Sequence, residues 1–439
     1  MKLLIRFLLA AFVLAVLPTT EVLAQANRIT PPKQTRTIKT PPPKSRWHSI
    51  ESFSEGLASV KDENGKYGFI DKTGKVVIPC QWYIALPFHE GLAKVKNDKY
   101  KYGFIDKTGK VVVPCQWNEI EEFHEGMARV KDENGKYGFI DKTGNLITPC
   151  KWKFAYIFQE GLAKVEDDNE KCGFIDKTGT LVIPCKWYIA HYFYDGLAFV
   201  VDEARKMSFI DKSGKVVIPC KWKCAWDFHE GLAKVEDENG KCGLIDKTGT
   251  LVIPYKWKNI EEFHEGLAKV KDENGKYGFI DKTGKVVVPC QWKNIEEFHE
   301  GMARVRDENW KYGFIDKTGK LVIPCKWGSA DSFHEGFARV KDDTHKYGFI
   351  DKTGNLITPC KWEGAEDFDE EGLARVSMDW PYGNFTQKWG YIDKTGKLVI
   401  PCKWEGPRAF HEGLAVVILS DAVRNYWYVI DKTGKVVIK

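Results

Sequence analysis

Eleven glycines set the frame of this chain. Gly56, Gly91, Gly126, Gly161, Gly196, Gly231, Gly266, Gly301 and Gly336 recur at a step of 35, and Gly372 and Gly413 follow at steps of 36 and 41. A fixed internal period constrains a fold more than any other sequence feature. Each copy is one supersecondary unit too small to bury its own faces, so copies must stack, and length counts repeats rather than domains. The most regular copy, Trp257 to Gln291, reads WKNIEEFHEGLAKVKDENGKYGFIDKTGKVVVPCQ, and every stretch from Trp47 to Lys439 can be laid over it.

Within that copy, Leu267 to Lys271 alternates with Ala268 and Val270 on one side and reads as a strand. DENG (Asp272 to Gly275) is turn chemistry, KYGFI (Lys276 to Ile280) is aromatic and β-branched, and DKTG (Asp281 to Gly284) is a second turn. Lys285 to Val288 makes a third strand, which Pro289 stops from continuing as a central one. The expected unit is a three-stranded antiparallel meander. A long connector from Cys290 to Phe298, with room for a short extra strand, joins it to the next. A Trp and a Phe recur in that connector in every copy, from Trp47 and Phe53 to Trp404 and Phe410. One aromatic buries about 150–250 Å², a gross gain of roughly 4–6 kcal/mol at 25 cal/mol per Å². Trp82, Trp117, Trp152, Trp187, Trp222, Trp257, Trp292, Trp327, Trp362 and Trp404 are therefore read as structural wedges between neighbours.

The run EGLAKV, KYGFIDKTG, KVVIP, with KWGYIDKTG at Lys388 to Gly396, resembles the WG-repeat family of bacterial repeat proteins over Trp47 to Lys439. Most copies carry Tyr where the family name has Trp (Tyr67, Tyr102, Tyr137), and two carry Cys (Cys172, Cys242). The resemblance implies an all-β repeat protein, often exported or appended to other domains, with no catalytic residues to carry over. β-Propellers typically have four to eight four-stranded blades, which eleven units of three strands fit poorly. An open superhelical, solenoid-like array is the first expectation, and a closed or near-closed propeller-like ring is the alternative.

Residues 1–26 pair a basic start (Lys2, Arg6) with an apolar run from Phe7 to Leu17 and end in small residues at Ala24 and Ala26, the pattern of a secretory signal peptide. The run is shorter than the roughly 20 residues a membrane span needs. Residues 27–46 hold Pro31, Pro32, Pro41, Pro42 and Pro43 with basic and no acidic residues, an extended linker. The chain carries +5; with about +1 in the signal segment and +6 in the linker, the array at 47–439 is left near −2 with both signs interspersed. It has no basic stripe of the kind nucleic acid requires. The expected product is exported, periplasmic or extracellular, without a transmembrane segment.

Several motifs invite chemistry. DKTGTL at Asp176 and Asp246 resembles the phosphorylation motif of P-type ion pumps, but DKTG (once DKSG, Asp211) occurs in every copy and reads as a hairpin turn. The recurrent His-Glu-Gly (His89, His124, His229, His264, His299, His334, His411) lacks the helical spacing of a zinc HExxH pair, and Ser54, Gln159, Tyr194 and Glu370 interrupt it. Nine cysteines share one repeat position. They read as small buried residues rather than bridges, with Cys220 and Cys224 the pair closest to a bridge spacing. DENG turns and paired acids show no calcium-loop pattern. No cofactor, metal or catalytic cluster is expected.

Repeat arrays make binding surfaces from positions the repeat leaves free. The Trp-to-Phe connectors vary most (YIALP, NEIEE, KFAYI, KCAWD, GSADS, EGPRA), and two hairpin tips lengthen at Ser377 to Lys388 and Leu419 to Tyr426. The candidate binding residues are Trp380, Tyr382, Phe385, Tyr426 and Trp427 on the tips, with Asn118, Glu121, Lys258, Glu261, Lys293 and Glu296 on the connectors. The function expected is a non-enzymatic scaffold for a protein or carbohydrate ligand. An envelope hydrolase is the alternative.

Overall fold

Each repeat folds as one small antiparallel sheet, and blade 7 shows why. Its four strands, Asn259–His264, Leu267–Lys271, Tyr277–Asp281 and Val286–Trp292, are hydrogen-bonded in chain order. The computed structural model describes residues 46–378, 387–420 and 424–439. Contacts divide the chain into Met1–Pro42 and Pro43–Lys439. The first unit, with the expected signal peptide and most of the linker, lies outside the described residues, as do Trp380, Tyr382 and Phe385. Among the described residues, ten sheets have four strands and the last, Leu414–Ser420, Asn425–Asp431 and Val436–Ile438, has three.

The expected three-stranded meander is thus one strand short. The connector divides at its middle: its front half prolongs one blade's last strand to the Trp, and its back half opens the next blade. Ile260 pairs with Val270 and Phe263 with Ala268, with a bulge between them. Pro289 does not stop the fourth strand, because it is exposed on the sheet edge, where no neighbour needs its missing N–H.

Two local devices shape the blade. The first is the turn between first and second strands, where His89 and Leu92 exchange both backbone hydrogen bonds (2.9 and 3.1 Å) around Glu90 at φ 50° and Gly91 at φ 81°. Both central residues are left-handed, a two-residue hairpin whose twist matches its strands. The strain on the glutamate is of order 1–2 kcal/mol. The second device is the glycine of YGFID: a Cβ on Gly278 would lie 2.4 Å from Val288 O and 2.8 Å from Cys290 N, because the bulged fourth strand passes directly over it. Blade 5 carries Ser208 there, and its fourth strand, Val216–Pro219, stops three residues short of Trp222.

The cores lie between blades. Leu267, Phe279, Val288 and Trp292 of blade 7 pack with Ile295, Phe298, Ala303 and Val305 of blade 8, and an equivalent cluster fills every interface. One of these joins the two ends of the array: Trp47, Ile50, Phe53 and Val60 of blade 1 pack with Val416, Val429 and Ile438 of blade 11. The polar contacts at this seam are also those of the interior. Glu55 accepts from Gly91 N–H (3.0 Å) and pairs with Lys107 (2.9 Å) one blade on. Across the seam, Glu412 accepts from Gly56 N–H (3.0 Å) and pairs with Lys72 (3.1 Å). Arg408 also pairs with Glu51.

The open array, the first expectation, is therefore replaced by its alternative: the described residues from Arg46 to Lys439 form a closed eleven-bladed β-propeller. The physical reason is that an open stack would leave Trp47, Ile50 and Phe53 bare at one end and Val416, Val429 and Ile438 at the other. These two surfaces fit each other as interior ones do. Consecutive blades approach through the second and third strands of one and the first strand of the next. Blades of a ring converge on its axis, so the first strands, built from the variable connectors, form the inner wall.

Candidate functional site

Two positions set the chemistry of the inner wall. One is the residue two before the connector Phe, on the first strand; the other is the basic residue of AKV or ARV on the second. In five blades they form an ion pair across the first hairpin: Glu121 with Arg129, Glu261 with Lys269 (2.7 Å), Glu296 with Arg304, Asp331 with Arg339 (2.6 Å) and Glu366 with Arg375. The arginine also reaches forward, as where Arg375 Nη1 donates to Pro407 O of the next blade at 2.7 Å.

Five blades lack the acid: Leu86 of blade 2 and Arg408 of blade 11 stand singly, while Tyr156, His191 and Trp226 replace it in the adjacent blades 4, 5 and 6. The Lys164 ammonium lies 3.7 Å from the Tyr156 ring centroid, Phe199 lies 5.1 Å from His191, and Lys234 lies 4.2 Å from Trp226. Tyr192 joins Tyr156 (6.2 Å) to Tyr194 (6.4 Å), and His229 follows at 4.9 Å from Tyr194. The result is an aromatic arc from Tyr156 through Tyr192 and Tyr194 to His229, with Trp226, 39% exposed, on the same strand as His229. Burial, then a hydrogen bond donated to Glu166 (2.9 Å), pushes the Tyr156 phenol up to about 12, and burial raises Tyr192 and Tyr194. These hydroxyls stay protonated at neutral pH.

A cleft opens where the arc ends. In most interfaces the third-strand Phe of one blade packs on the connector Phe of the next, as in Phe69 on Phe88 (4.8 Å) and Phe279 on Phe298 (4.7 Å). Blade 6 carries Leu244 instead, and Phe263 is half-buried, as is Phe123 beneath Phe104 in blade 3. Phe298, in an identical NIEEFHEG segment, is only 2% exposed. The space left is a cleft of about 390 Å³ between blades 6 and 7.

The connector residues expected to bind are placed mostly in pairs of their own. Glu121, Glu261 and Glu296 sit in the ion pairs above. Asn118 accepts from Lys101 Nζ (2.7 Å) and donates to Asp132 O (3.1 Å). Lys293 pairs with Glu308 (3.1 Å), and Lys258 is exposed. Of these only Glu261 borders the cleft. On the last tip, Tyr426 is 8% exposed, inside the core between blades 10 and 11, and Trp427 is half-buried against the seam core beneath Arg408 (5.6 Å). The extra length of that hairpin extends the paired strands, Leu419 opposite Tyr426, and so turns Tyr426 inward.

The wedge tryptophans are buried at the interfaces, except Trp292, which is half-buried. Tyr156, His191, Tyr192, Tyr194 and Trp226 were the functional candidates left unselected. The signal for Tyr156 and Trp226 is present in KFAYI and KCAWD, connectors in which an aromatic stands where six blades have an acid, and that for His191, Tyr192 and Tyr194 in YIAHYFYD (Tyr188 to Asp195). Leu244 is likewise visible as a departure from the aromatic of YGFID.

The DKTG aspartates are turn residues: Asp71 Oδ1 accepts from Thr73 N–H, Thr73 Oγ1 and Lys75 N–H at 2.6–3.0 Å. The twelve thiols are unbridged, and among the described residues no three His, Cys, Asp or Glu converge as a metal set. Among the same residues, no helix is long and apolar enough to cross a membrane.

Comparison with curated proteins finds no match. Among solved structures, the chain is similar to a eukaryotic initiation factor at 10% identity and TM-score 0.37, covering 72% of this chain and 95% of that one. BamB from Moraxella catarrhalis matches at 9% identity and TM-score 0.28, covering 61% and 92%. PorZ, a bacterial surface component of the type-IX secretion system of Porphyromonas gingivalis, matches at 11% and 0.22, covering 88% and 66%. The WG containing repeat matches eleven times, at residues 44–67, 67–100, 102–137, 137–171, 173–203, 207–242, 243–277, 277–309, 312–343, 347–379 and 389–421. With these matches spanning most of the chain, it belongs to the WG repeat family.

Proposed function

We propose that this protein is an exported, non-enzymatic ring scaffold that holds a polypeptide partner against its inner wall at blades 4 to 6. The observation that carries the reading is that Tyr156, His191 and Trp226 stand in the acid's place in three consecutive blades, whereas the other two departures, Leu86 and Arg408, stand singly. Tyr and Trp present large, rigid surface at small entropic cost and dominate protein interfaces. A glycan partner is the second reading, favoured by the exposed ring of Trp226 beside the Asp227 carboxylate.

The test is site-specific photocrosslinking in the native host, with the crosslinking side chain at Tyr192 and, as control, at Ser332 across the ring. Expected are crosslinks from position 192 alone, which collapse on protease treatment. Collapse on glycosidase treatment instead selects the glycan. Equal crosslinking at both positions, or none, overturns the site. Export is checked separately by fractionation and N-terminal sequencing, with Asn27 expected as the first residue of the mature chain.

A further inference from the structure

We propose that the cleft between blades 6 and 7 is a preformed site for an organic cation, a primary ammonium carried on an apolar stem. The inference stands whether or not the aromatic arc binds polypeptide. Its floor is apolar: Trp226 and Leu244 of blade 6 face Ile260 and Phe263 of blade 7. Leu244, shorter than the aromatic of the neighbouring blades, lines this space beside Phe263. Blades 7 and 8 supply the internal control, since Phe279 covers Phe298 in the same NIEEFHEG context.

The rim carries the charge. Asp227, Glu261, Glu262 and Glu297 border the cleft against one lysine, Lys234. That lysine is committed to the Trp226 ring (4.2 Å) and to Asn259 Oδ1 (3.3 Å). Lys269 engages Glu261 at 2.7 Å. The remaining three acids have only imidazoles: His191 Nδ1 at 3.0 Å from Asp227, His229 Nε2 at 3.5 Å from Glu262 and His264 Nε2 at 3.2 Å from Glu297. The rim thus sets four carboxylates over a partly desolvated apolar floor, where a carboxylate field acts more strongly than in open water. An ammonium on a hydrocarbon stem satisfies both halves. A carboxylate ligand is repelled, and a neutral one uses the floor alone.

Because such a cation can be a free amine or a lysine side chain, two probes are used: phenethylammonium and Nα-acetyl-lysine N-methylamide. Their controls are phenethyl alcohol and Nε-acetylated lysine. Binding to the intact chain is followed by calorimetry. At least one cationic probe is expected to bind at least tenfold more tightly than its neutral control. Leu244→Phe, which restores the residue of neighbouring blades and so preserves folding, is expected to weaken that probe at least tenfold. Glu262→Gln with Glu297→Gln is expected to weaken the cation and leave the alcohol unchanged. Preference for phenethylammonium identifies a free amine, and preference for the lysine derivative a displayed side chain. The site is refuted if neither cation binds, if the neutral controls bind as well, or if Leu244→Phe leaves the affinity intact.

Discussion

Closure of the ring makes a prediction that an open array would not. Ile438, in the last strand, is 5% exposed and packs against Trp47, Ile50, Phe53 and Val60 of the first blade. A Cβ placed on Gly74 of blade 1 would lie 3.3 Å from Ile438 Cγ2, the distance at which the same position on Gly284 meets Ile253 Cγ1 in the interior. Ile438→Ala removes three carbons, about 2.4 kcal/mol of transfer free energy at ~0.8 kcal/mol each, and leaves a cavity, for a total of about 3 kcal/mol. In a closed ring, Ile253→Ala must cost the same.

At the free end of an open stack, the isoleucine would lack its partner blade, and its truncation would cost about 1 kcal/mol or less. The assay is native-state hydrogen exchange at the Val60, Ile70 and Val429 amides, with Val270 and Ile280 reporting on the interior pair. A loss of about 3 kcal/mol corresponds to exchange faster by more than ~100-fold. The reasoning is refuted if Ile438→Ala accelerates the seam amides less than about tenfold while Ile253→Ala reaches its expected effect.

Other consequences follow from the repeat chemistry. Ser208→Gly is expected to let the blade 5 fourth strand extend toward Trp222 and to stabilise that blade, while Gly278→Ala, forced against Val288 O, is expected to cost at least ~2 kcal/mol; thermal melts and blade-resolved exchange read both. Lys107, against burial and with the Gly91 N–H helping, holds Glu55 below its ordinary 4.5. Burial pushes Glu125, Glu265, Glu300 and Glu412 up, but in each a lysine and the next glycine N–H outweigh it, and the net shift is downward. Groups with a depressed folded pKa contribute their full stability above the unfolded value and lose it as pH falls through the folded one. Melting temperature should therefore be insensitive to these groups above pH 4.5 and drop progressively below it, and a drop confined to pH 6–7 would contradict the assignment. Burial pushes Cys115, Cys150 and Cys290 up to about 11, so at pH 8 they should react with a thiol reagent much more slowly than free cysteine, and at its rate once unfolded.

The period, the all-β content, the turns and the wedge tryptophans were legible because each is local: a two-residue Glu-Gly turn or an Asp-started DKTG turn is specified within five residues. What escaped depends on partners distant in sequence. The first strand was hidden in the connector because its pairing, Ile260 with Val270, is interrupted by a bulge at Glu261 and Glu262 that breaks the alternation a strand should show. Ring closure was hidden because Trp47 and Ile438 are each ordinary members of the repeat, and nothing within either blade says that they meet. Tyr426 looked like an exposed tip aromatic because the lengthened strand that turns it inward is not marked by any local pattern.

The same distinction separates repeat drift from a built site. Phe263 and Phe298 lie in identical eight-residue segments, yet one is half-buried and the other buried, and the preceding blade presents Leu244 to the first and Phe279 to the second. In a stack of this kind, a surface property belongs to an interface and takes two substitutions in different copies to define. Random divergence would scatter such departures around the ring. The acid is also lost singly at Leu86 and Arg408, but its replacement at Tyr156, His191 and Trp226, the Tyr192 and Tyr194 side chains, and the truncation at Leu244 fall in three adjacent blades. Restoring the repeat residue at each position, Tyr156→Glu, Trp226→Glu and Leu244→Phe, should therefore raise stability or leave it unchanged while abolishing binding. A triple variant that melts at a lower temperature than the parent would mean that the arc is a packing solution for this sector and not a surface kept open for a ligand.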